Sequence, residues 1–132
     1  MGLNALNHFT ICPVDLEATK DFYADVLGLE VGERPPLGFP GYWMYCGGIP
    51  TVHLIGPRES DAGLPPRQAA ATGLFDHIAF SCTGLAGMRA RLAEHKIAYS
   101  ERVIPRDRQT QLFLHDPNGV AVELNYPPAE TT

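Results

Sequence analysis

The amino-acid sequence predicts an α+β fold made of two βαβββ modules. Three observations predict it. Strand-like and helix-like patterns follow one another in the same order twice. A stretch rich in Pro, Gly and Ala, residues 56–73, separates the two series. Four residues of metal-ligand type recur at nearly one spacing: His8 and His77 stand 69 positions apart, and His53 and Glu123 stand 70 apart. The chain therefore reads as one domain over residues 1–132. Its first module spans about 5–56, its linker about 57–74 and its second module about 75–126. Two such modules can curl into a cupped mixed sheet, with the four residues around one metal site.

Each element has a local reason. Residues 6–12 alternate Phe9 and Ile11 against His8 and Thr10, which predicts a strand ended by Pro13. Asp15 can cap a helix whose apolar side carries Leu16, Phe22, Tyr23, Val26 and Leu27, with Gly28 as its stop. A short strand follows at 29–32. The Pro- and Gly-rich residues 35–41 predict a loop. Residues 42–46 and 51–55 predict a hairpin around Gly47-Gly48-Ile49-Pro50. In the second series, 76–82 is a strand. Thr83 is placed to cap a helix carrying Leu85, Met88 and Leu92. A strand at 98–103 precedes a hairpin of 109–115 and 120–126 around Asp116-Pro117-Asn118-Gly119. Residues 127–132 read as a frayed tail.

Composition narrows the function classes. The 132 residues are 45% hydrophobic and 19% charged, as in an ordinary globular domain. A net charge of −5 without a Lys/Arg run argues against nucleic acid or an anionic membrane as partner. No apolar stretch reaches the length of a membrane span, and the first residues lack the basic and apolar blocks of a signal peptide. Cys12, Cys46 and Cys82 are odd in number and show no C-x-x-C spacing, so buried free thiols in a reducing cytoplasm are expected. By strand alternation Cys12 can face the same way as His8.

Imidazole and carboxylate together suit a borderline divalent ion: Fe(II), Mn(II), Ni(II) or Zn(II). A single His on an apolar strand is more often a hydrogen-bonded packing residue. Glu123 within Val-Ala-Val-Glu-Leu-Asn is more telling, because an ionised carboxylate on an inward strand position is costly unless it is paired or metal-bound. His53 is either a fourth ligand or a nearby acid/base group. Softer expectations concern the substrate. Trp43 and Tyr45 share a strand face and can stack on a ring. Arg106 and Arg108 can bind a carboxylate or phosphate. Gln111 alternates with Phe113 and can point into the cup. His95 and His115 read as surface residues.

The chain resembles the vicinal oxygen chelate superfamily of glyoxalase I, type I extradiol dioxygenases, methylmalonyl-CoA epimerase and the fosfomycin- and bleomycin-resistance proteins. The resemblance covers about residues 5–126. It rests on Asn7-His8-Phe9 with the run from Asp15 through Leu29, on Asp76-His77-Ile78-Ala79-Phe80, and on the run from Asp116 through Leu124. It implies a divalent metal that chelates neighbouring oxygens of a small substrate. It further implies His8, His77 and Glu123 as ligands, with His53 a fourth ligand in glyoxalase-like members and an acid/base residue in extradiol-like ones. Phe113 stands where extradiol enzymes carry a Tyr. The leading expectation is an extradiol-type dioxygenase using Fe(II), and a homodimer. The alternatives are a glyoxalase-like lyase or isomerase, and a metal-free protein that binds a small molecule such as an antibiotic.

Overall fold

The computed structural model describes residues 2–69, 72–73 and 75–130. Residues 70, 71 and 74 of the expected linker and 131–132 of the expected tail lie outside the described residues. The chain forms two compact units, Met1–Gln68 and Ala69–Thr132, and their boundary falls inside the expected linker. Each unit holds one four-stranded mixed sheet in the same topology. This is the α+β, twice-repeated βαβββ architecture.

In the first unit the strands are β1 (Phe9–Ile11), β2 (Glu30–Gly32), β3 (Gly41–Cys46) and β4 (Ile49–Ile55), in the order β1-β4-β3-β2. β1 runs parallel to β4, and the other pairs are antiparallel. Phe9, Ile11, Met44, Val52 and Leu54 share one face by register. The helix α1 (Leu16–Asp21) contacts β3 and β4, and its Glu17 accepts a 2.5 Å bond from the Tyr42 hydroxyl on that face. Met44, Val52 and Leu54 are fully buried there, as is Tyr23 just beyond the helix. Apolar burial of this kind is the main stabilising term.

Three details differ from the sequence expectation. β1 is shorter than 6–12, and His8 lies just ahead of it, where no neighbouring strand pairs with it. Asp15 caps α1 as expected, accepting from the Ala18 amide at 2.9 Å, but the helix widens to a π-type turn over Phe22–Val26. The Leu27 amide there reaches the Phe22 carbonyl at 3.2 Å. The β3–β4 turn is only Gly47-Gly48, because both take positive φ, 58° and 81°, as a tight two-residue hairpin requires. β4 therefore starts at Ile49, and a register shift at Met44/Tyr45 absorbs the extra residue next to Pro50.

In the second unit the strands are β5 (His77–Ser81), β6 (Ser100–Val103), β7 (Thr110–His115) and β8 (Ala121–Tyr126), in the order β5-β8-β7-β6. Leu112, Leu114, Val122, Leu124 and Tyr126 are buried, and so are Leu85 and Leu92 of α2 (Leu85–Glu94). Asp116 shapes the β7–β8 turn, its Oδ1 accepting from the amides of Asn118 and Val120, each at 2.8 Å. The expected Thr83 cap is not used. Gly84 occupies the cap position, and Glu130 Oε1 accepts from the amides of Gly84 and Leu85 at 2.8 and 3.0 Å. The expected tail is thus ordered at Pro128–Glu130, a single 3-10 turn, because its carboxylate satisfies amides the helix leaves unpaired. The three cysteines are free, yet none is fully buried: Cys12 is exposed, and Cys46 and Cys82 are half-buried. Among the described residues no helix is long and apolar enough to cross a membrane.

Candidate functional site

The two sheets present corresponding residues in matching register. In the first unit Thr10 pairs with His53, and His8 lies two positions before Thr10. In the second unit Ala79 pairs with Glu123, and His77 lies two positions before Ala79. Trp43 sits opposite His53 on β3, and Phe113 sits opposite Glu123 on β7. All of these belong to the sheet face away from the helix, since alternation puts Met44, Val52, Leu112 and Val122 on the other face.

The imidazoles at 8 and 77 are held alike. Asn7 Oδ1 accepts from His8 Nδ1 at 2.8 Å, and Asp76 Oδ2 accepts from His77 Nδ1 at 2.6 Å. A proton on Nδ1 leaves Nε2 with its lone pair, the form that binds a metal, and an oxygen behind the ring fixes its orientation. The Asp76 hydrogen bond, followed by the charges of Glu123 and Asp76 and opposed by desolvation, raises the His77 pKa above its ordinary value. Asn7 and Asp76 also stand 69 positions apart, so this second pair was visible in the sequence beside the two histidines.

In the first unit three rings form a stack. His53 lies 3.8 Å from His8 at an interplanar angle of 10°, and 4.2 Å from Trp43 at 12°. His53 Nε2 donates to the Pro50 carbonyl at 3.0 Å, which leaves its Nδ1 as the atom with a lone pair. Desolvation first, then the nearby His8 and Arg34, lower the His53 pKa against the opposing Pro50 bond. That shift favours the neutral ring. Lone pairs lie in the ring planes, so two parallel stacked imidazoles aim in parallel and do not converge on one point. As placed, His8 is the ligand-ready member and His53 is its neighbour. Tyr45 is tied down, its hydroxyl donating to the Glu33 carbonyl at 2.7 Å.

In the second unit His77 Nε2 and Glu123 Oε1 are 3.6 Å apart. Two donors on one small divalent ion stand about 3 to 3.5 Å apart, given bonds of about 2.1 Å. The glutamate is held by a polar chain. Arg102 Nε donates to Gln111 Oε1 at 2.7 Å, Gln111 Nε2 to Asn125 Oδ1 at 3.0 Å, and Asn125 Nδ2 to Glu123 Oε2 at 2.8 Å. The Arg102 guanidinium also lies over the Phe113 ring, 5.4 Å from its centroid. Gln111 is 6% exposed and both ends of its amide are engaged, so its geometry is that of a link in this chain. Arg106 is 95% exposed on its side chain, and its Nε approaches Asp107 Oδ1 at 4.0 Å. Arg108, His95 and His115 are exposed. Cys12 Sγ lies 3.9 Å from Arg58 Nη2.

Among the described residues no three His, Cys, Asp or Glu side chains gather as one metal-binding cluster. What the structure brings together is two pairs, one per unit: His8 with His53, and His77 with Glu123. In the second unit the pair is an imidazole and a carboxylate whose second oxygen is already bonded, donor types that suit a borderline divalent ion.

A twice-repeated βαβββ sheet bearing these pairs defines a class of protein. The chain belongs to the Glyoxalase/Bleomycin resistance protein/Dioxygenase superfamily, whose model matches residues 5–124. Members of that superfamily commonly use a divalent metal. The chain is 30% identical over 127 residues to Glyoxylase I 4 of Arabidopsis thaliana, covering 94% of this chain and 71% of that one. It is 32% identical over 132 residues to the mitochondrial methylmalonyl-CoA epimerase of Bos taurus, covering 93% and 74%. Lactoylglutathione lyase from Agrobacterium tumefaciens shares the fold, with a TM-score of 0.68, 24% identity and full coverage of both chains.

Proposed function

We propose that this protein is a metal-dependent lyase or isomerase that moves a proton at a carbon beside a carbonyl in a small substrate with neighbouring oxygens. The family resemblance implies His8, His77 and Glu123 as ligands of a divalent ion, and within the second unit His77 Nε2 and Glu123 Oε1 already stand 3.6 Å apart. The observation that carries this reading is the matched pinning of His8 and His77 by Asn7 and Asp76, which leaves both Nε2 atoms ready as ligands. The named relatives, a glyoxylase I and an epimerase, support the lyase or isomerase class over the oxygenase expected first from sequence.

A bound divalent ion supplies Lewis-acid polarisation of the substrate's oxygens. The chain's own residues do the rest. His53, neutral and stacked beside His8, takes the proton on Nδ1 and returns it, while its Nε2 hydrogen stays on the Pro50 carbonyl. Trp43 backs the ring and shields it from water. Asn125 and Gln111 keep the Glu123 carboxylate in one rotamer.

A second reading, an extradiol-type Fe(II) dioxygenase, is favoured by one observation. His53 is stacked on His8 with its Nε2 held by the Pro50 carbonyl, which leaves Nδ1 for the acid/base role the resemblance implies in extradiol-like members. The test is metal analysis of protein purified without chelators, with His8→Ala and Glu123→Ala in parallel. Near-stoichiometric metal in the parent and its loss in both variants is the expected result. No metal under any loading condition sinks both enzyme readings and leaves a small-molecule binder. Deuterium incorporation from D2O into acyl-CoA thioesters and glutathione hemithioacetals, against oxygen uptake with catechols, then separates the two enzymes.

A further inference from the structure

Arg34 is the cation of the first unit whose partners do not account for its position. Its guanidinium carbon lies 5.0 Å from the centroid of the Phe39 ring. Its Nη2 is closed off from solvent with no hydrogen-bond acceptor, and no carboxylate of the described residues pairs with it. The guanidinium lies where a side chain at position 41 would project. A Cβ on Gly41 would sit 2.9 Å from Arg34 Nη2 and 3.1 Å from its Cζ, and would overlap the Leu54 carbonyl oxygen. Trp43 is two residues further along the same strand. Arg34 therefore stands on the face that carries Trp43, His53 and His8, not on the face under α1.

A second guanidinium converges on the same ring. Arg58 lies 5.9 Å from the Phe39 centroid, and its Nε is 3.4 Å from Asp61 Oδ1. Asp61 is also engaged by Arg67 Nη2 at 3.0 Å, so one carboxylate serves two arginines. Arg67 is otherwise spent on the carbonyls of Pro13, Ile55 and Gly56. Phe39 and Arg58 line an open cleft of about 450 Å³, together with Leu37, Gly38, Glu59 and Ser60. Glu59 is the one acidic residue of that lining, and it is exposed. A half-buried cation without an anion is costly, and an oxyanion that reached the closed-off Nη2 would give the planar guanidinium fork the acceptor it lacks.

We propose that Arg34, with Phe39 and Arg58, forms a subsite for an oxyanion of the substrate, a carboxylate or a phosphate, placed beside the imidazole face of the first sheet. The assignment rests on the reading that this face receives the substrate. A phosphate would come from a carrier tail such as a coenzyme, and a carboxylate from the reacting end of the molecule. The loop of residues 35–40 thereby has a role beyond connection: it carries Phe39, which both guanidiniums approach and which lines the cleft.

Trp43 is the chain's single tryptophan, so its fluorescence reports on this face without labelling. The full-length protein is titrated with inorganic phosphate and with malonate, at low and high salt. A saturable change with one or both probes is expected, weakened at least tenfold by Arg34→Gln and about threefold by Arg58→Gln. Arg34→Lys is expected to fall between parent and Arg34→Gln, because it keeps charge without the planar fork, and Glu59→Gln to bind about twofold more tightly. Preference for phosphate assigns the carrier tail, and preference for malonate assigns the reacting end. Equal affinity in parent and Arg34→Gln, or no saturable change with either probe, overturns the proposal. If Arg34→Gln does not fold by circular dichroism, the Arg58→Gln, Arg34→Lys and Glu59→Gln series decides in its place. Metal content measured on the same samples keeps the two readings apart. Metal in the parent without Arg34-dependent anion binding sinks only the subsite. Arg34-dependent binding without metal sinks only the enzyme.

Discussion

Asp76 and Asn7 act on the candidate ligands through one bond each. His77 Nδ1 donates to Asp76 at 2.6 Å, and that bond is the first cause of the raised His77 pKa. Asp76→Asn is therefore expected to lower the pKa of His77 in a metal-free histidine NMR titration, with His95 and His115 unmoved as internal controls. An unchanged His77 titration would mean that the aspartate does not hold the ring. The same substitution, and Asn7→Ala, should weaken metal affinity by about 10- to 100-fold, the usual cost of removing the partner behind a ligand imidazole. The Asx-His dipeptides were legible in the sequence at matching spacing, and so were His8, His53, His77 and Glu123. Asn125, Arg102 and Arg34 were not. Their roles depend on cross-strand neighbours and on the space over Gly41, and no local pattern encodes those.

At the scale of elements, α2 is secured at its start and near its middle by residues distant in sequence. Glu130 replaces the side-chain cap that Thr83 does not provide. Glu130→Ala is expected to destabilise the protein by about 1 kcal/mol, the usual cost of losing a cap, read as a shifted denaturation midpoint with an unchanged slope. A fall no larger than that of an exposed control such as Glu94→Ala would show the contact to be incidental. On the opposite side Arg89 grips Glu101 of β6 with two bonds, at 2.9 and 2.5 Å. The Arg89 hydrogen bond is the main reason the Glu101 pKa is lowered, against the raising effect of burial. A depressed carboxylate pKa contributes stability above its unfolded value, and that stability is lost as pH falls through the folded value. Glu101→Gln should thus be less stable than the parent near pH 7, by up to about 1 kcal/mol for a partly exposed pair. The difference should shrink as pH falls below the ordinary glutamate range and through the lowered Glu101 pKa, when thermal melts of the two proteins are compared. The strand and helix order was readable from periodicity and turn residues. The cap was not, because a carboxylate 45 positions from the amide it serves leaves no signature at the helix start.

For the whole molecule, the duplication is the organising fact. One topology and one register occur twice, and each copy carries two of the four candidate residues on the sheet face its helix leaves open. Exposed apolar residues of the chain include Leu3, Leu6, Ile49, Leu64 and Phe75. The homodimer that the family resemblance implies is tested by sedimentation equilibrium at micromolar concentration. A monomer across the accessible concentration range would sink that expectation.

The sequence by itself determined the fold class, and it pointed to two modules, a linker between them and four candidate residues. Those properties are written in alternation, turn chemistry and a repeat spacing, all of which are local or periodic. Only the tertiary structure decided how the residues are used within each unit. It stacked His53 between His8 and Trp43, tied its Nε2 to Pro50, set Glu123 on a chain through Asn125 and Gln111, and laid Arg34 over Gly41. Ring planes, lone-pair directions and unpaired charges arise from contacts between strands, and those exist only once the chain has folded.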